Sequence, residues 1–471
     1  MKKLMSFLTA LIVLCSAVSC SSDGKKEPSP PMNEAVYNEE GKPVITVGTF
    51  GYVEPLFSDY LNKPQDMEIK VVNYAAGIEA DYSTKESQNA YYAAINNQLN
   101  IALISGEAPD IICTGVADMQ NLDNKGVLTD LYPLMDKGDA LKREDFLPCV
   151  LEGLEVEGRL PAVMEAYTLH TAVAKTKFIP KEYEHWTSAD AMKFYEEYKD
   201  KMDFCKYTSE SSLAEYMLKI EGLNSIDHRK AVCDFGTSFR DALQFCLDTP
   251  IQAEAEPIFA NMDDYDFNAY YKDEETRGLN DTQLVFPLSI NGFNSGLGQH
   301  TYGFFNKEDI TFVGYPSENG SGAYVQSANM VLYGITEQCS NKKSAWELIT
   351  LILKQQEKLE KYEVTDARGI PVLKEQLQRD YDRPSDYNNS INNGFMWNWN
   401  NYGEEEFITQ EYKDMLYEYI LSVPANPYFY NWDLQNIIDE EVEYAINGDR
   451  SADDTAYILN DRLGTYLSEK S

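Results

Sequence analysis

Apolar residues along this chain fall into short β-branched runs separated by stretches of helical period. Residues 43–51 (Pro-Val-Ile-Thr-Val-Gly-Thr-Phe-Gly) predict a strand ending in a glycine-flanked loop, and residues 67–74 predict a second. Between that strand and the next, Tyr92, Ile95, Leu99, Ala102 and Leu103 share one helical face, with Gly106 at the expected stop. Residues 109–113 then begin a third strand. Strand, helix and strand in this order predict a right-handed parallel unit, whose ligand sites lie at the carboxyl ends of the strands, here the loops after Val47 and Cys113. A second series follows: a strand at 160–163, a capping box at Thr187-Ser188-Ala189-Asp190 opening a helix, strands at 283–290 and 310–313, and a helix at 344–353. Leu434, Ile437, Ile438, Val442 and Ala445 stripe a helix over 433–446, and Ser451-Ala452-Asp453-Asp454 caps a last helix running toward Leu467. The fold class is therefore α/β, with no fixed-period repeat that would indicate a solenoid or propeller.

The first residues follow a different pattern. Lys2 and Lys3 precede an apolar run too short to span a bilayer, which ends in Ala17-Val18-Ser19-Cys20. That layout predicts an export signal over 1–19. Small residues ahead of Cys20 resemble the bacterial lipobox, which implies that Cys20 is lipidated, carrying a diacyl, palmitate-type anchor, and becomes the first mature residue; two acyl chains hold stably where one does not. A plain secretory signal cut nearby is the alternative. The polar, Pro-rich stretch after Cys20 predicts a flexible tether over 20–42.

Charge and composition narrow the partners. The 77 acidic and 40 basic residues give a formal net charge of −37, which disfavours nucleic acid and anionic lipid surfaces as partners. Six cysteines after Cys20 show no C-x-x-C pair or metal-ligand spacing; only Cys233 and Cys246 stand where a pair across one unit could form. Four histidines lie in no zinc or Cys-His pattern, so neither metal nor thiol-nucleophile chemistry is expected. No G-x-S-x-G elbow is present, and the many acids form no distinctive pair. No cofactor and no catalytic residue are expected.

Several segments together resemble the family 1 extracellular solute-binding proteins of ABC transporters, the maltose-binding-protein type. Residues 97–112, NQLNIALISGEAPDII, resemble the family's helix, G-x-x-P-D-I turn and strand; residues 125–131, KGVLTDL, resemble its K-G-x-L-x-D-L segment. Residues 156–163 stand where the family has D-G-K-x-Y-x-x-P, Trp186-Thr187 where it has T-W, 369–372 (Gly-Ile-Pro-Val) match G-I-P-V, and Asn447-Gly448 with Ser451 match N-G-x-x-S. The resemblance implies two lobes with a ligand cleft between them that closes by hinge motion. It places residues 43–134 and 315–352 in lobe 1 and 135–314 and 353–471 in lobe 2, with crossings near Asp136 and Gly314. It also implies a lipid-anchored monomer on the outer face of a bacterial cell membrane that hands a small solute, with a carbohydrate as leading class, to an ABC permease. A peptide or surface-signalling ligand is the alternative, followed by an exported glycan hydrolase.

Neutral sugars are held by aromatic faces and by groups that bond hydroxyls, and 33 tyrosines suit such a cleft. The candidates are Phe50 and Tyr52 after the first strand and Asp110, Thr114 and Asp118 around the third, with a turn cap as the rival role for Asp110. In the second lobe the resemblance selects Glu165 and Tyr167, with His170 standing where the family has a Tyr. It also selects Asn291, Phe293 and Asn294 in a glycine-containing turn, and Trp432 with Tyr430 and Tyr428 before a helix. Trp397 and Trp399 rank below these, because alternation also suits a core strand. Asp264, Asp266, Asn268 and Glu275 have calcium-loop spacing, but Ala269 occupies the position that needs glycine, so an exposed acidic loop is the better reading.

Overall fold

The computed structural model of the protein describes residues 35–50, 66–81, 84–114, 119–138, 140–205, 210–227, 230, 232–249, 273, 275–293, 305–318, 320, 322–328, 331–354, 369–382, 410–423 and 432–470. All of them belong to one compact unit, Met32–Ser471. The chain begins with β1 (Val44–Thr49), β2 (Glu68–Asn73), α1 (Lys85–Ser105) and β3 (Ile111–Thr114), then α2 (Met119–Asn124), α3 (Tyr132–Lys137) and α4 (Pro148–Leu154). It continues through β4 (Ala166–Lys175), α5 (Ser188–Tyr198), α6 (Glu210–Asn224), β5 (Ile226–Asp227), β6 (Val232–Cys233), α7 (Thr237–Asp248), β7 (Phe286–Ile290), β8 (Ile310–Phe312) and β9 (Tyr324–Ser327). Last come β10 (Leu332–Ile335), α8 (Lys342–Lys354), β11 (Ile370–Pro371), α9 (Lys374–Asp382), α10 (Gln410–Ser422), α11 (Trp432–Ile446) and α12 (Ala452–Lys470).

The first sheet has the order β10-β3-β1-β2. β1 pairs in parallel with β2 and β3, as the sequence predicts, and β10 returns antiparallel to β3. Helix α1 makes the crossover between β2 and β3. It ends where Gly106 adopts φ 79°, a left-handed cap that glycine enters without steric cost. The second sheet is built around β4, which pairs antiparallel with β7, β8, β9 and β11.

Three cores hold these layers. Ile95 and Leu99 of α1 pack with Phe50, Tyr74 and Ile112 on one face of the first sheet. Its other face, the odd-numbered side of β4 and helices α3, α4, α8 and α10 share one continuous core, so the two sheets are joined by buried apolar contact. Helices α5, α6, α7, α11 and α12 form the third core against Ala172 and Ala174 of β4.

Two expectations shift. The strand expected at 160–163 is replaced by isolated bridges, Val156 to Arg159 and Val163 to Tyr333. Glu157 and Gly158 turn through positive φ, and Pro161 has no N–H to give a ladder, so the strand starts at Ala166. Residues 324–327, expected in lobe 1, form β9, which pairs with β4 of the second sheet through Ser327. Gly314 is no pivot. Its carbonyl accepts from Tyr216 Oη at 2.7 Å and Trp186 Nε1 at 3.3 Å, and an added Cβ would stand 2.0 Å from the Gly322 oxygen. The six cysteines from Cys113 onward are free: Cys246 is buried in the helical core, and Cys233 Sγ lies 3.5 Å from the Asn460 carbonyl.

Candidate functional site

Alternation along β4 sends Tyr167, Leu169 and Val173 into the shared core and Ala172 and Ala174 against the helices. Thr168 and His170 lie on that same helical side, but nearer the strand's amino end, and stay half-buried. The register brings their neighbours into line: Gln326 opposite Thr168, and Tyr324 and Ser289 opposite His170 on its two flanks. Asn291 follows the end of β7. Thr168 Oγ1 donates to Asn291 Oδ1 at 2.5 Å, Ser289 Oγ and His170 Nδ1 are 2.9 Å apart, and the imidazole stacks on the Tyr324 ring at 4.5 Å and 13°.

Lys219 of α6 stands over the Tyr324 ring, 5.4 Å from its centroid, and Tyr315 packs against the same ring at 5.4 Å. Burial, and next the Lys219 charge, push the His170 pKa down to about 4, so the imidazole is neutral at neutral pH. Burial lowers Lys219 as well, against the opposing pull of Glu215 and Asp439. The result is a face of hydroxyls, amides and a neutral imidazole, backed by the buried Tyr324 ring. It can exchange hydrogen bonds with a polar neutral ligand.

Asp439 belongs to α11, whose amino-terminal half borders this face. From the same half, Asn436 Nδ2 approaches Asn89 Oδ1 of α1 at 3.5 Å, so α1 and α11 come together beside this face. Trp432 begins α11 one turn earlier; its side chain lies outside the described residues.

The structure places the other sequence candidates as follows. Asp110 stands at the amino end of β3, opposite the end where parallel sheets bind ligands. Its carboxylate accepts from Thr46 N at 2.8 Å and Thr46 Oγ1 at 2.7 Å, so it brackets β1 to β3. Phe50 is buried against Tyr74 at 5.8 Å. Tyr167 is fully buried beside Cys149, and Phe293 packs between Tyr381 and Tyr417. These three aromatics are core residues, Tyr167 turned inward by strand alternation and Phe50 and Phe293 by the segments that follow β1 and β7. Glu165 is half-buried where the chain enters β4 and accepts from Tyr333 Oη at 2.5 Å. Thr114 closes β3 opposite Leu332, with its side chain outside the described residues. Cys20, Tyr52, Asp118, Asn294, Tyr428, Tyr430, Trp397, Trp399, Asp264, Asp266 and Asn268 lie outside the described residues. Glu275 opens a helical stretch at 275–279, and the described residues contain no group of three or more metal-type ligands.

Thr168, Ser289, Tyr324, Gln326 and Lys219 were not legible as candidates. The one available signal was the pair of polar residues two apart, Thr168 and His170, in an otherwise apolar run.

Comparison with solved structures defines the architecture. The chain is similar to the sugar-binding protein MalE from the phytopathogen Xanthomonas citri, at 15% identity over 91% of this chain and 98% of that one, with a TM-score of 0.52. It is similar to an extracellular solute-binding protein family 1 member from Alicyclobacillus acidocaldarius, at 13% identity over 93% and 100%, TM-score 0.51. A de novo designed esterase also matches, at 14% identity over 91% and 99%, TM-score 0.50. No family model matches the chain, and no curated protein does. The protein has the two-lobe α/β fold of the extracellular solute-binding proteins. No described helix is long and apolar enough to cross a membrane.

Proposed function

We propose that this protein is an extracellular solute receptor that captures a small polar ligand, a carbohydrate, between its lobes and passes it to an ABC import permease. The observation that carries the reading is the open face of the second sheet, where Thr168, Ser289, Asn291 and Gln326 offer hydroxyls and amides beside the stacked His170 and Tyr324. Such groups bond the hydroxyls of a sugar. The sugar-binding neighbour with the same fold supports the ligand class. In this reading Cys20 carries the lipid anchor, and the Pro-rich segment after it holds the receptor off the membrane.

The test is thermal unfolding of the protein from Ser21 onward, which retains the whole compact unit, against maltose, other mono- and oligosaccharides, and peptides. A ligand that binds only the folded state raises stability by about 2.7 kcal/mol at a hundred-fold excess over its Kd. A sugar-specific rise that Asn291→Ala removes, with the sugar recovered intact, is the expected result. A rise with peptides alone overturns the carbohydrate assignment, and turnover of a glycan overturns the receptor reading.

A further inference from the structure

Helix α1 has two unlike faces. Ile95 and Leu99 are buried against the first sheet, whereas Ala90, Ala93, Asn97, Ile101 and Ile104 lie exposed along the opposite side. Ile101 leaves 59% and Ile104 88% of its surface open to solvent, one turn apart. The segment from Ser87 to Gly106 also holds no charged residue, although 25% of the chain is charged. An exposed helix face ordinarily carries charge, and charge depletion together with exposed apolar side chains marks the core of a protein–protein contact.

The exposed stripe is symmetric in position about its middle residue. Ala93 and Ile101 stand four residues to either side of Asn97, and Ala90 and Ile104 seven. A second α1 laid antiparallel on the first, with the two-fold axis through Asn97, therefore sets every isoleucine over an alanine: Ile104 over Ala90 and Ile101 over Ala93. Large meets small along a contact about 21 Å long, and alanine lets the helix axes come close. At the axis the two Asn97 amides face each other, and because an amide both donates and accepts, it can pair with its own copy and fix the register. Parallel pairing would instead stack isoleucine on isoleucine and leave the alanine end unfilled.

Charge points to the same place. Two copies at −37 each repel over most of their surface, and the charge-free stripe lets them touch without setting acid against acid. Only a partner with the same stripe makes use of its symmetry. We propose that this stripe is a two-fold interface at which two copies of the protein pair through antiparallel α1 helices. The pairing departs from the monomer that the family resemblance implies, and it does not depend on the identity of the ligand. A contact of one helix on another is small, so the dimer forms in a concentration-dependent way.

Sedimentation velocity of the protein from Ser21 onward, over a concentration series at low and high salt, reads the association. The expected result is a monomer–dimer equilibrium that strengthens with salt, which screens the mutual repulsion. Ile104→Lys, at a site too exposed to disturb folding, is expected to raise the dimer dissociation constant more than about tenfold. Disulfide capture under mild oxidation reads the register, with the unsubstituted protein, whose cysteines from Cys113 onward are buried or half-buried, as the blank. Asn97→Cys on the axis is expected to form a covalent dimer. Ile104→Cys alone is expected to form none, because it lies about 21 Å from its symmetry mate, beyond disulfide reach, but to cross-link when mixed with Ala90→Cys. A monomer at every concentration with no Asn97→Cys capture, a dimer that Ile104→Lys leaves intact, or equal capture of Asn97→Cys and Ile104→Cys overturns the proposal.

Discussion

The two sheets handle polar side chains in opposite ways. In the first, β1 lies between parallel neighbours and is buried on both faces, so its Thr46 turns to Asp110 and is satisfied within the sheet. In the second, the helices cover only part of one face of β4, and the polar residues beyond that cover, Thr168 and His170, meet their neighbours at a surface. A polar residue beside a strand is therefore a ligand candidate only where the layer above it stops short.

Substitution at Asp110 should separate the two behaviours most widely. Asp110→Ala leaves the Thr46 N–H and hydroxyl without their acceptor in a half-buried site, and the expected cost is about 2–3 kcal/mol. Urea unfolding checks it, with the midpoint falling at unchanged slope. A normal midpoint together with lost ligand binding would instead make Asp110 a cleft group.

Acid should weaken the second sheet next. The His170 value of about 4 lies below its ordinary 6.5, so between those values the unfolded chain binds a proton that the folded chain refuses. Stability is full above pH 6.5 and falls as pH drops toward 4, by on the order of 3 kcal/mol. His185 is lowered by burial and acts in the same direction. Glu308, held below its ordinary 4.5 by the hydrogen bond from Lys177, acts only below pH 4.5. Melting curves from pH 7 to 4.5 should flatten in His170→Gln; an unchanged slope would mean that the imidazole is solvated.

The open face itself should affect binding more than folding. Asn291→Ala removes the acceptor of the exposed Thr168 bond, with an expected loss of roughly tenfold in sugar affinity. Its expected effect on stability is under about 0.5 kcal/mol. Isothermal titration with the sugar that passes the thermal screen, beside urea unfolding, checks both halves.

Legibility from sequence follows the same division. β1, β2, β3 and the end of α1 at Gly106 were readable, because a parallel core strand is a local apolar run and a helix stop is a local glycine. The Thr187/Asp190 box and the Ser451 cap were readable for the same reason, and both form. The bracketing role of Asp110 was not, since it depends on a register that joins residues 64 apart in the chain. Nor was the open face. Its members come from β4, β7, β9 and α6, and neither β9 nor α6 was legible as an element. The aromatic candidates Phe50, Tyr167 and Phe293 show the limit of residue type: each suits a sugar, and each is turned inward by its place in a strand or turn.

The smallest effect concerns the place where the two regions meet. Asn89 and Asn436 are two neutral amides at 3.5 Å, the long end of hydrogen-bond geometry, so their bond adds little to either lobe. It can form only when α1 and α11 are close, and therefore its whole effect falls on the closed arrangement. Asn89→Ala is expected to leave unfolding unchanged and to weaken the sugar about two- to threefold, or roughly 0.5 kcal/mol. That loss is expected to appear as faster release. Stopped-flow measurement of both rate constants distinguishes the outcomes: a slower on-rate with an unchanged off-rate would place Asn89 in the encounter with ligand, and a change in neither would mean that the lobes close without this contact.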